Sequence, residues 1–158
     1  MTSAFFLSLH VLAAILAIGP VTVAASMFPR YVRTAATDPH AVTILGSLHR
    51  ICRVYTVLGL LVPAFGLATA ASMGVLTDAW VLTSIALTAA AAAVLTLAVL
   101  PRQAEALSAL DAQPEAASGS SAGSATAARL GMVTGIFNLL WAVVVVLMIV
   151  RPGSTTGV

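Results

Sequence analysis

Four apolar runs dictate what this chain can fold into: Ala4 to Met27, Val54 to Met73, Ala79 to Leu100 and Leu130 to Val150. Each has the length, about 20 residues, that an α-helix needs to cross about 30 Å of hydrocarbon. None contains a carboxylate, since Asp38, Asp78, Glu105, Asp111 and Glu115 all lie in connections or at run ends. Lipid offers no partner to a peptide group, so each run must satisfy its own backbone, as a helix does. The predicted fold is all-α, a polytopic membrane protein of four transmembrane helices forming a single membrane domain over 1–158. Only 8% of residues are charged, against about a quarter in a soluble domain, and so apolar a chain of this size could not bury its surface in water.

The connection from Phe28 to Arg53 sets orientation. It holds Arg30, Arg33, Arg50 and Arg53, two of the three histidines (His40 and His49) and the lone cysteine, Cys52. Asp38 followed by Pro39 reads as a helix start. From there Ala41, Ile44, Leu45, Leu48, Cys52 and Tyr55 recur at helical spacing. This predicts an amphipathic helix at the inner surface, able to run unbroken into the second span, with Arg50 and Arg53 level with the headgroups. Arg102 and Arg129 join the same side, leaving Arg151 alone on the other. The arginine bias places that side in the cytoplasm and both termini outside, in a bacterial inner membrane. No positive charge precedes the first run, so it reads as a retained span and not a signal peptide.

Within the runs, Gly19-Pro20 predicts a kink in the first helix, and Pro101-Arg102 predicts the end of the third. Gly59, Pro63, Gly66 and Ala70 share a face of the second, suited to close approach of a neighbouring backbone. Trp80 sits where belt aromatics prefer to lie. Residues 103–111 read as a polar helical extension, and the Ser, Gly and Ala of 116–127 as a flexible linker.

Polar side chains at membrane depth are the candidates for function. His10 lies about 9 Å below the outer boundary and Asn138 about 12 Å above the inner one. His10 could bind a ligand or metal, carry a proton, or simply be a hydrogen-bonded histidine inside a bundle. His40 and His49 lie on the opposite side, which argues against a haem held between two histidines. Asn138 shares a face with Gly131, Gly135 and Ala142, and mid-depth Trp141 follows, so these five read as a helix-packing or partner interface. Arg30, Arg33, Arg50 and Arg53 read as a contact for anionic lipid headgroups or an acidic partner surface. A single cysteine excludes an internal disulfide and multi-cysteine metal sites, and no motif for phosphate binding, zinc hydrolysis or an activated serine appears. No catalytic residue, metal or cofactor is expected, and nucleic acid is not an expected partner.

The segment Leu9-His10-Val11-Leu12-Ala13-Ala14-Ile15, followed by Gly19-Pro20, resembles a family of small, uncharacterised four-helix integral membrane proteins of actinobacteria. In size and plan the chain is also similar to accessory subunits of actinobacterial respiratory assemblies, such as those attached to cytochrome c oxidase. The missing intramembrane carboxylates, the Gly131, Gly135 and Asn138 face and mid-depth Trp141 lead to the expectation of a non-catalytic subunit of a larger membrane complex, with other integral membrane subunits as partners. Two alternatives stand beside it: a small transporter or ligand-binding membrane protein using His10, and a haem- or quinone-binding electron-transfer subunit.

Overall fold

The computed structural model describes residues 2–35, 37, 38, 40–112 and 121–153. The helices are α1 (Thr2–Thr34), α2 (Ala41–Leu58), α3 (Leu61–Met73), α4 (Ala79–Ala93), α5 (Leu100–Ala112) and α6 (Ser121–Val150), with a π-helical stretch, Val94–Val99, joining α4 to α5. Among the described residues there are no strands. Four continuous rods result, each long and apolar enough to span a bilayer: α1, α2 with α3, α4 with α5, and α6. At about 1.5 Å per residue a rod of 33 residues is about 50 Å long, well beyond a hydrocarbon core of about 30 Å. The bundle therefore projects past the membrane.

The exposed side chains show where. Among the described residues every large apolar side chain left exposed lies within 5–27, 54–97 or 132–150, and none lies from 28 to 53 or from 98 to 131. The first three stretches form a band dressed for lipid. The other two form an end dressed for water, and that end carries all the arginines except Arg151. It also holds much of the close-packed core, in which Phe28 and Val32 of α1 meet Leu45, Leu48 and Cys52 of α2, with Ala106, Leu110, Ala127 and Leu130. The amphipathic segment is thus the first part of α2, continuous with the second span. Its apolar residues Ala41, Leu45, Leu48 and Cys52 are buried inside the bundle.

Prolines shape the rods without ending them. α1 runs through Pro20 and Pro29 unbroken. Pro63 has no N–H to offer the Gly59 carbonyl, which instead accepts from Val62 (3.1 Å), and the ladder tightens between α2 and α3. A Cβ on Gly59 would lie 3.2 Å from the Tyr55 and Thr56 carbonyls, a close fit at this turn. Pro101 does not stop the third rod as expected. Just before it the helix widens to a π turn, with the Leu100 N–H reaching back to the Leu95 carbonyl, and then continues to Ala112. The fourth rod starts earlier than the sequence suggested: residues 121–127, read as linker, are helical because they pack against the arginine-end core through Ala127. Residues 116–120 and Pro39 fall outside the described residues.

The rods are not packed equally. α1 sits against α2, α3 and α6, and α6 against α4, but α3 and α4 barely meet. At the Trp80 end this leaves a gap.

A cleft beside His10

The gap between α3 and α4 forms a partly open cleft, lined also by α1 and α6. It has two lobes, of about 650 and 710 Å³. One lies toward the Trp80 end, between Leu7, Thr69, Met73, Trp80 and Arg151. The other runs toward the bundle middle, past Thr22, Pro63, Ser84 and Thr88 to Trp141. His10, Gly66, Val81 and Met148 line both and form the waist. Each lobe is of the size that small-molecule sites occupy, about 300–1,000 Å³, and the walls are overwhelmingly apolar.

His10 is only 9% exposed. Its Nδ1 lies 2.8 Å from the Val62 carbonyl of α3. A carbonyl oxygen only accepts, so Nδ1 carries the proton and, in the neutral ring, Nε2 keeps its lone pair. Nε2 has no hydrogen-bond partner among the described residues. The position depends on Gly66, one turn after Val62: a Cβ there would lie 2.9 Å from His10 Cε1 and 3.1 Å from Nδ1. The imidazole fills the notch that the missing side chain leaves. The sequence had placed Gly59, Pro63, Gly66 and Ala70 on a face awaiting a neighbouring backbone. At Gly66 the neighbour is the His10 ring, and Pro63, Gly66 and Ala70 line the cleft.

Arg151 stands at the mouth. Pro152 disfavours the right-handed helical conformation for the residue before it, and Arg151 takes φ 45°, a left-handed conformation costing a non-glycine residue about 1–2 kcal/mol. Its N–H still closes the last turn on Leu147 (2.9 Å), and its Nε donates to the Met148 carbonyl (3.2 Å). The guanidinium lies 5.6 Å from the centre of the Trp80 ring. Trp80 is steadied in turn, donating from Nε1 to Asp78 Oδ2 (3.2 Å) at the start of α4. Sequence reasoning counted Arg151 only as a topological marker. The available signal was that Arg151 and Trp80 fall at the same end of their spans.

The other candidates fall elsewhere. Gly131, Gly135 and Ala142 are exposed on α6, with nothing within 4 Å of a Cβ built on either glycine. Asn138 turns toward α1, donating from Nδ2 to Ser26 Oγ (3.1 Å), while its Oδ1 and the nearby Thr134 Oγ1 are buried without partners among the described residues. Trp141 is a wall of the cleft. Arg30, Arg33, Arg50 and Arg53 are all exposed toward the arginine end. There too, His49 Nδ1 meets Gln103 Oε1 (3.1 Å) and Gln103 Nε2 meets Cys52 Sγ (3.7 Å), a buried bridge joining α2 to α5. Among the described residues no group of three or more histidine, cysteine or carboxylate side chains could hold a metal ion.

No curated protein and no solved structure matches the chain. The family model for DUF2269, described as predicted integral membrane protein, matches residues 5–152, nearly the whole chain and all four rods. The chain therefore belongs to the DUF2269 family of predicted integral membrane proteins.

Proposed function

We propose that this integral membrane protein is a non-catalytic binding protein for a lipophilic small molecule, held in the cleft with His10 as its polar anchor. The observation that carries the reading is the 2.8 Å bond from His10 Nδ1 to the Val62 carbonyl, which leaves Nε2 unpartnered at the waist of an apolar cleft. Such an atom can accept a hydrogen bond from a ligand or bind a metal held by one. A haem held between two histidines finds no support. His49 precedes Val62 by thirteen residues of nearly continuous helix, about 20 Å, and His40 lies farther still. In the proposed orientation the arginine end is cytoplasmic and the cleft mouth lies on the outer side of a bacterial inner membrane. Native mass spectrometry after mild extraction tests the reading. The wild type should retain a small molecule that His10→Ala loses while staying folded. A wild type that is bare, or both proteins carrying the same mass equally, would overturn it.

A second reading, an accessory subunit of a larger complex such as a respiratory assembly, is favoured by the exposed Gly131, Gly135 and Ala142 stripe. Small residues let another helix approach closely. The exposed arginines would then hold anionic lipid or a partner's surface. Cross-linking from Gly131→Cys in native membranes should capture another subunit, and a chain that runs alone throughout counts against this reading.

A further inference from the structure

We infer that the cleft takes an amphipathic anion, its acid group on Arg151 and its apolar body running past His10 toward Trp141. The inference rests on the ligand-binding reading and names the ligand's chemistry. Two observations carry it. Arg151 lines the mouth lobe and is the lone arginine at that end of the protein. It is half-buried, and beyond the Nε bond to Met148 its guanidinium makes no hydrogen bond or ion pair among the described residues. Asp78, the one carboxylate close by among the described residues, is engaged with Trp80 Nε1, and Arg151 rests over the ring of that tryptophan. The terminal nitrogens therefore remain as donors in the fork that suits a carboxylate or phosphate. Beyond them, past His10 at the waist, the deep lobe presents hydroxyls, the Trp141 indole and apolar side chains, with no arginine, aspartate or glutamate, a lining suited to hydrocarbon. One arginine at the mouth and no other among the described lining residues fits a single acid at one end of the ligand.

Both tryptophans of the chain line the cleft, Trp80 at the mouth and Trp141 at depth, so quenching reports position as well as binding. The probes are a long-chain fatty acid and its methyl ester, nitroxide-labelled near the acid end or near the tail tip, added to the full chain in phosphatidylcholine nanodiscs. Quenching is measured in Trp141→Phe and Trp80→Phe, each of which leaves one tryptophan. The acid should quench saturably and be reversed by excess unlabelled acid. The label near the acid end should act on Trp80 and the tail label on Trp141. The acid should bind roughly tenfold or more tightly than the ester, the value of a charge-assisted hydrogen bond. Arg151→Gln should erase that preference and Arg151→Lys restore much of it. Phosphatidylglycerol that displaces the acid from the wild type but not from Arg151→Gln supports the inference with a bilayer lipid as the source; an undisplaced acid supports it with a free acid. Equal binding of acid and ester overturns the inference and leaves the ligand-binding reading standing. Failure of every probe to quench Trp141 saturably overturns both.

Discussion

Adding one methyl group at Gly66 should separate the stability of the bundle from the integrity of its site. In Gly66→Ala the new Cβ would lie 2.9 Å from His10 Cε1 and 3.1 Å from Nδ1. The alanine itself favours the helix by about 1 kcal/mol. Against that stand about 1–3 kcal/mol for overpacking and about 1 kcal/mol for the His10–Val62 hydrogen bond that the displaced ring gives up. The net is roughly 1–3 kcal/mol less stable. Gly46→Ala is the matched control, because nothing lies within 4 Å of its Cβ. That variant should gain about 1 kcal/mol, leaving a gap of roughly 2–4 kcal/mol between the two. Reversible unfolding in mixed micelles with increasing dodecyl sulfate measures both. If the two variants prove equally stable, or if Gly66→Ala retains the small molecule that His10→Ala loses, the argument for the notch fails.

Three other outcomes follow from the same packing. Gln103→Leu keeps bulk at a fully buried position but strands His49 Nδ1, and should cost about 1–3 kcal/mol in the same unfolding assay. Cys52 has no exposed surface, so maleimide should label it only after denaturation, read as a mass shift; rapid native labelling would contradict the α2–α5 core. Asn138→Leu removes one hydrogen bond to Ser26 and one buried, unpartnered oxygen, so stability should stay within about 1 kcal/mol of the wild type. A much larger loss would mean that Asn138 organises the α1–α6 contact, and loss of a co-purifying subunit would favour the accessory reading.

The four rods were legible because lipid imposes one rule on every stretch: a long apolar run without carboxylates must be helical. The face of Ala41, Leu45, Leu48 and Cys52 was legible from its helical spacing, and the structure buries it. His10 stood out as an ionisable group at depth. What it touches did not, since the meeting of His10 with Val62 and Gly66 spans more than fifty positions and depends on how two helices register. Local signals also misled where packing overrode them. Pro101 looked like a stop, yet a π turn carries the helix past it, and the serine- and alanine-rich start of α6 is helical against the arginine-end core. Trp141 read as a helix-packing or partner residue, and the cleft it lines was not visible because it depends on how little α3 and α4 meet.

The most direct test of the account is the state of the His10 ring. The chain has three histidines, so ¹⁵N-histidine NMR in lipid, with His10→Ala as the assignment control, resolves it. The account predicts a slowly exchanging Nδ1–H bonded to the Val62 carbonyl and an Nε2 without a proton, whose resonance moves when the cleft is filled. An Nε2–H tautomer, or a ring that exchanges freely and ignores every lipophilic probe, would contradict it.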